Sequence, residues 1–238
     1  VFRERDIPVQ VALGAYDVGI CGSSWAEELS QRFPGHDVVR LRDLGYGAHG
    51  LWLATASDVA QPSVRIVSEY PNIAEAIARR LRLRRYRVFP VWGAAEAYPP
   101  EDADIALVAA TDSAAVEALG LRPIAEVLRS SACLIANRRS LASKNLSPLL
   151  GGLFAAGAPA AAAVLRMPAA LPMRAASPSS ERRALRLALP DGHAQPHTVA
   201  ALQCAGIRIE GYDEKTGVRR PRIDMDSVEV KVIRPQDM

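Results

Sequence analysis

The residues whose types and spacing best suggest chemistry lie between Ala103 and Leu121, in ADIALVAATDSAAVEALGL. An apolar run, Ile105 to Ala110, has the length and composition of a buried strand. Thr111, Asp112 and Ser113 follow as a small polar turn, and Ala114 to Leu119 reads as a helix closed by Gly120. A strand that hands over to a helix through such a turn leaves free backbone N–H groups and the positive end of the helix dipole aimed at one spot, which is how phosphate is held. The same residues also describe an ordinary βα unit with a capped helix, because Thr, Asp and Ser are good N-cap residues. Both readings stand on this stretch alone.

Other polar and charged groups have plain alternatives beside the functional ones. Arg79, Arg80, Arg82, Arg84 and Arg85 end a helical pattern; they suit phosphates or nucleic acid, and equally the negative end of a helix dipole. Scarce aromatic residues and mixed charge near that run count against nucleic acid. GVRRPRID, with Arg219, Arg220 and Arg222, reads as a source of cations or as an exposed basic loop. His49 sits in a glycine-rich loop, where it could meet a nucleotide or water. Trp25 and Trp52 read as packing residues.

The elements that must position these groups follow from patterning. The chain has 238 residues, is 49% apolar and carries a net charge of +3, so it can build a sizeable core and is too weakly basic to imply nucleic acid. Cys21, Cys133 and Cys204 are scattered, without metal-ligand spacing, which fits reduced thiols in a cytoplasmic protein. No apolar run is long enough for a membrane span, and VFRERDIP does not read as a signal peptide.

In order, Val1 to Arg3 reads as a strand end, and Asp6 as the N-cap of a helix ending at Gly14. Tyr16 to Cys21 reads as a strand, Gly22 to Ser24 as a turn before a helix near Trp25, and Val38 to Leu41 as a strand. The loop Asp43 to Gly50 leads into the strand LWLATA. Val64 to Ser68 is a strand, Glu69 to Asn72 a turn, Ile73 to Leu83 a helix and Arg87 to Val91 a strand. Ala125 to Asn137 reads as a helix or turn and then a strand, and Leu146 to Leu165 as one or two helices. Met167 to Arg183 has the Pro/Ser/Ala content of a linker. Ala184 to Pro190 is a strand, Asp191 to Gln195 a turn, His197 to Ala205 a helix capped by Gly206, and Val228 to Ile233 a final strand.

Several runs resemble the short form of ATP phosphoribosyltransferase. Asp6 to Glu28, DIPVQVALGAYDVGICGSSWAEE, is similar to a D-I-P segment followed by G-x-x-D-[VL]-G-I-x-G. LRDLGYGAHGLWLA resembles a D-L-G-F-G stretch, RIVSEYPNI resembles R-I-A-T-E-Y-P-N-L, and WGAAEAYP resembles x-G-S-x-E-x-A-P. Gly120 to Leu141, GLRPIAEVLRSSACLIANRRSL, is the nearest run. Near the C-terminus, ALRLALPDGHAQPHTVAALQCAGIRI resembles the N-terminal L-R-I-A-L-P-K-G-R strand and turn of that family. VEVKVIRPQDM ends where VFRERDIP begins, so the order reads as a circular permutation; a stretch cut from a tandem repeat would read the same.

The resemblance implies an α/β fold of two lobes, similar to type-2 periplasmic binding proteins, with the site in the cleft between them. Lobe I would comprise residues 1–62, 124–150 and 183–238, lobe II residues 63–123, and residues 151–182 would be a helical and Pro/Ser-rich linker. It implies transfer of a phosphoribosyl group from phosphoribosyl pyrophosphate to ATP, the first step of histidine biosynthesis, with Mg²⁺ on the leaving pyrophosphate. Glu96 would be catalytic; Thr111, Asp112, Ser113, Ala114 and Ala115 would bind the phosphate; Glu69, Tyr70, Gly93, Asp191, Gly192 and His193 would bind nucleotide; no protein metal site is expected. It further implies an oligomer, a partner resembling histidyl-tRNA synthetase and a cytoplasmic setting. The Thr111 and Asp191 turns would both face the cleft.

The matches favour scaffold over chemistry. Against the family loop D-L-V-S-T-G-x-T-L, this chain has Val108 for the acid, Thr111 for Ser, Asp112 for Thr, Ser113 for Gly and Ala115 for the second Thr. Asp191 and His193 replace the Lys and Arg of P-K-G-R, and Ala94 replaces a Ser. An anion in a phosphate cradle is repulsive. The alternative function is therefore a catalytically impaired relative that binds ligand or regulates a partner.

Overall fold

The computed structural model describes residues 2–60, 63–155, 158–160, 163–174, 185–212, 218, 220–225 and 228–233. The chain divides into two units, Val1–Val91 with Tyr98–Ala176, and Trp92–Ala97 with Ser177–Met238.

The first unit contains β1 (Val18–Gly22), β2 (Val38–Asp43), β3 (His49–Thr55), β4 (Val59–Ala60), β5 (Val64–Ser68), β6 (Tyr86–Pro90), β7 (Ile105–Ala110), β8 (Arg122–Ser130), β9 (Ala132–Asn137), β10 (Ala158–Pro159) and β11 (Met173–Arg174). Its helices are α1 (Ile7–Ala12), α2 (Ser23–Arg32), α3 (Pro71–Arg80), α4 (Ser113–Ala118), α5 (Arg138–Ser143) and α6 (Ser147–Ala155). One sheet has the order β1-β9-β2-β10, a second has β6-β5-β7-β3-β8, and β4 and β11 pair as a two-stranded parallel sheet. The first is antiparallel throughout; in the second, β5 runs parallel to both β6 and β7, and β3 runs antiparallel to β7 and β8.

Each of the two larger sheets has its own core. Val11, Cys21, Ala26, Leu29, Val38, Cys133 and Ile135 fill the space between the four-stranded sheet and helices α1 and α2. Leu51, Leu53, Ile66, Ile73, Ile77, Ile105 and Leu107 are among the residues that fill the other. Helix α3 forms because Pro71 sits in its first turn, where a missing N–H costs nothing, and Ile73, Ala74 and Ile77 make one buried stripe. Leu165 joins this second core, and the Arg166 N–H reaches Val127 O at 2.7 Å, so the chain lies against β8 just before the segment read as a linker, Met167 to Arg183. Residues 175–183 of that segment lie outside the described residues.

The second unit contains β12 (Leu185–Pro190), α7 (Gln195–Cys204), β13 (Ile209–Glu210), β14 (Arg222–Ile223) and β15 (Val228–Ile233). Strands β12 and β15 pair in parallel over their whole length, with α7 between them in sequence, as a βαβ crossover requires. Leu189, Tyr212, Val230 and Val232 form its core. Thus the C-terminal region read as a strand–turn–helix unit has that structure.

Several local expectations are corrected. Arg3 caps a short 3₁₀ turn, Glu4–Asp6, rather than ending a strand, and Val1 lies outside the described residues. Asp6 is itself helical and makes no side-chain cap, because the 3₁₀ turn runs straight into α1. No turn separates β1 from α2, since Gly22 passes directly into Ser23. The stretch beginning at Ala125 is strand, not helix or turn: β8 continues through it because β3 supplies a partner for its backbone. Of Leu146 to Leu165, Ser147–Ala155 is helical, and Ala158–Pro159 pairs with β2 instead. Of the arginine run, Arg79 and Arg80 occupy the last turn of α3, where cations meet the helix dipole.

Candidate functional site

Strand register gathers several loops at one end of the five-stranded sheet. Ser68 pairs with Leu107 in parallel, so the chain leaves β5 at Glu69 and β7 at Thr111 on the same edge. Gly50 faces Ala110 on one side and Arg129 on the other, which brings the start of β3 and the end of β8 to that edge as well. The crossing to the four-stranded sheet begins there: Ser24 N–H donates to Ser130 Oγ at 2.9 Å, and Ser23 N–H to Ser131 O at 2.9 Å. The N-terminus of α2 thereby joins the same rim. Ligands of open α/β sheets bind beyond the carboxyl ends of parallel strands, and this rim has that position on β5 and β7.

The Thr111 turn is open to solvent, with Thr111, Asp112, Ser113 and Ala114 all exposed. Asp112 is the N-cap of α4, with extended backbone, and its Oδ1 accepts the Ala115 N–H at 2.8 Å. A carboxylate therefore already occupies part of the amide cradle. The other helix starts at the rim are satisfied in the same manner. Gly22 N–H donates to Glu4 Oε1 at 2.5 Å, and Asn72 and Ile73 donate to the two oxygens of Glu28 at 2.8 and 2.9 Å. Burial pushes the Glu28 carboxyl above its usual range, against the opposing pull of the Asn72 and Ile73 amides.

The residues selected from the sequence divide between the two units. Glu69 is half-buried at the same sheet edge as Thr111 to Ala115. Tyr70 is buried, and its ring stacks on Trp25 at 4.2 Å between centroids; burial raises its hydroxyl to about 12. Gly93 and Glu96 follow β6, in the segment Trp92–Ala97 that belongs to the second unit. Glu96 is half-buried in a 3₁₀ turn, Ala95–Ala97, and the backbone before it takes positive φ at Gly93 (+115°) and Ala94 (+54°). A non-glycine residue in that region is uncommon and marks a constrained turn.

Asp191, Gly192 and His193 form the junction of β12 and α7, also in the second unit. Asp191 Oδ1 accepts the Gly192 N–H at 2.7 Å, and His193 is exposed. The two turns expected to flank one cleft thus lie in different compact units. Sequence reasoning passed over Glu28 and Arg129. Glu28 acts on a helix 44 residues away, a relation with no local signal. Arg129 reaches the rim only through the pairing of β8 with β3, and its Nε donates to both Glu126 oxygens at 3.1 Å.

An α/β protein whose parallel strands deliver their loops to one sheet edge belongs to the open-sheet class in which ligand sites form beyond the carboxyl ends of such strands. Residues 3–153 match the family model described as ATP phosphoribosyltransferase, and the chain belongs to that family. It is 31% identical over 147 residues to an ATP phosphoribosyltransferase of Campylobacter curvus, covering 60% of this chain and 68% of that one. It is 34% identical over 150 residues to one from Metallosphaera sedula, covering 60% and 50%. The chain thus spans between half and about two thirds of these relatives' lengths. Its fold is similar to that of an ATP phosphoribosyl transferase (HisG:HisZ) complex chain from Thermotoga maritima, with TM-score 0.57 at 17% identity over 65% of this chain and 75% of that one.

Proposed function

We propose that this protein transfers a phosphoribosyl group from phosphoribosyl pyrophosphate to ATP with release of pyrophosphate, the first step of histidine biosynthesis. The observation that carries the reading is the rim itself: the turns after β5 and β7 leave adjacent parallel strands side by side, within the residues that match the family. In this reading Thr111, Ser113, Ala114 and Ala115 supply the amides and hydroxyls for the 5′-phosphate, with Asp112 at their centre. Glu69, Tyr70 and Gly93, with Asp191, Gly192 and His193, would serve the nucleotide, and Glu96 the reacting sugar.

Such a transfer asks for little covalent chemistry from the protein. It requires the two substrates to be oriented and the charge on pyrophosphate and on the cationic sugar carbon to be met. Among the described residues no group of three or more His, Cys, Asp or Glu side chains is placed to cage a metal. Mg²⁺ would arrive on the substrate phosphates, which it prefers to an all-protein site, and its part would be to neutralise the leaving group.

We extend the proposal to oligomeric assembly with a regulatory partner and to a cytoplasmic setting. The similar Thermotoga chain comes from a two-component complex, and the setting is the one expected of the matched biosynthetic family. The C-terminal βαβ unit would take the place of the family's N-terminal one, with the order of the chain permuted.

The test is calorimetry with phosphoribosyl pyrophosphate and Mg²⁺, followed by a pyrophosphate-release assay with ATP. Binding and release support the transferase. Binding without release assigns the chain to the catalytically impaired alternative, and absence of both removes the substrate assignment.

A further inference from the structure

Two cysteines outside the rim face each other across the four-stranded sheet. Cys21 on β1 is the direct partner of Cys133 on β9, and both are free and buried. The flanking hydrogen bonds fix the type of pair. Asn137 N–H donates to Asp17 O, and Ser23 N–H donates to Ser131 O, so the odd-numbered positions of β1 are the hydrogen-bonded ones. Opposed residues at such positions have Cα atoms about 5.5 Å apart. Disulfides span Cα separations of about 4.4–6.8 Å. The Cα spacing therefore admits a disulfide, while the Cβ atoms of a hydrogen-bonded pair lie at the wide end of about 4.5–5.5 Å, so closing the bond draws β1 and β9 together locally.

The surroundings make the two sulfurs unequal. Cys21 and the Arg40 guanidinium both lie beside Cys133 and lower its pKa, while burial and the Asp43 carboxylate oppose them. Arg40 Nη2 is held by Asp43 at 3.0 Å, but its buried Nε has no hydrogen-bond partner. Cys21 is shifted upward by Cys133 and by burial, so it stays a thiol. Reversible redox sites pair a low-pKa cysteine with a resolving one and are open to their oxidant; this pair has the neighbour but is buried, so only a very small oxidant can reach it.

We propose that Cys21 and Cys133 form a reversible disulfide on exposure to peroxide, pinning β1, the edge strand of its sheet, to β9. The Cys133 thiolate attacks one oxygen of hydrogen peroxide. The S–O bond forms as the O–O bond breaks, and the leaving hydroxide takes a proton to become water. Cys21 then loses its proton and attacks the sulfenic sulfur. The S–S bond forms, the S–O bond breaks, and a second water leaves. Both thiols are oxidised and one peroxide is reduced to two waters, so the step needs no other reactant. Peroxide is little larger than water, which suits a buried pair on an edge strand.

The test uses the full chain carrying Cys204→Ser, which removes the exposed thiol. It is treated with hydrogen peroxide, denatured, alkylated and mapped by mass spectrometry. The expected result is joint loss of both thiols, an intact mass lower by two hydrogens, a linked pair of peptides containing Cys21 and Cys133, and full recovery with dithiothreitol. In a further Cys21→Ala chain, peroxide should leave Cys133 as a sulfenic acid trapped by dimedone. Thiols that stay alkylatable at peroxide levels that oxidise Cys204 in the unsubstituted chain would overturn the proposal, as would oxidation of Cys133 to sulfinic acid with Cys21 still free. Should the alanine variant not fold, the peptide map of the Cys204→Ser chain decides alone.

Discussion

The carboxylate of Glu28 accepts the backbone N–H of Asn72 at 2.8 Å and, through its other oxygen, that of Ile73 at 2.9 Å. A side chain from α2, which packs on one sheet, thus caps α3, which packs on the other. Glu28→Ala leaves these donors bare at a buried position, at a cost of about 1–3 kcal/mol for the unsatisfied groups. Urea unfolding should show a lower midpoint with an unchanged slope. A loss below about 0.5 kcal/mol, the range of ordinary surface substitutions, would mean that water takes over the cap.

The same carboxylate makes stability depend on pH. Its folded pKa is raised above 4.5 by burial, the largest cause, against the opposing amides. The folded chain therefore holds this proton more tightly than the unfolded chain. The corresponding stability is fully present below 4.5 and is lost as pH rises through the folded value. Glu28→Gln removes the titration. The stability of the parent relative to Glu28→Gln should fall as pH climbs from about 4 to 7. A difference that stays constant over that range would show that the folded pKa is not raised.

What the sequence makes legible follows from whether a segment's partners are local. Strands β5 and β7 are evident because their apolar runs are bounded by turns, β15 because VEVKVI alternates, and the Asp112 cap because its bond spans three residues. Strand β8 is not, because RPIAEVLRS owes its extended form to β3, with Gly50 opposite Arg129. Glu28 reads as one more acid in WAEE until α3 is set against α2. The candidate site divides along the same line: the Thr111 turn is local and legible, while the rim around it is a product of register.

Asp112 offers a test of the proposed phosphate turn. Its carboxylate caps α4 from the position that an incoming phosphate would share. Asp112→Asn keeps an oxygen acceptor for the Ala115 N–H while removing the charge, and Asn is as good an N-cap as Asp. Removing a like charge within about 4 Å of a bound anion is worth on the order of 1–4 kcal/mol, depending on the local dielectric. Calorimetry should show phosphoribosyl pyrophosphate binding at least several-fold tighter to Asp112→Asn, with little change in unfolding free energy. Unchanged or weaker binding would place the 5′-phosphate elsewhere, or give Asp112 a favourable contact with the substrate.

Gly50 stands between that turn and Arg129, and a side chain is excluded there by its neighbours. A Cβ at this position would lie 2.5 Å from Trp52 Nε1 and 2.8 Å from Glu126 Oε1. Glu126 can give way, since its partner Arg129 is exposed, but the indole is rigid and its Nε1 is buried. Gly50→Ala should therefore cost about 1–3 kcal/mol, as overpacking does. The clash with tryptophan can be isolated by adding Trp52→Phe, whose smaller ring leaves the space that Nε1 occupied. In that background the alanine should cost measurably less, with a coupling of about 0.5–3 kcal/mol between the two sites in urea unfolding. Additive effects would mean that β3 shifts as a whole to admit the methyl group. In that case Gly50 is required by the backbone pairing at the rim and not by the indole behind it.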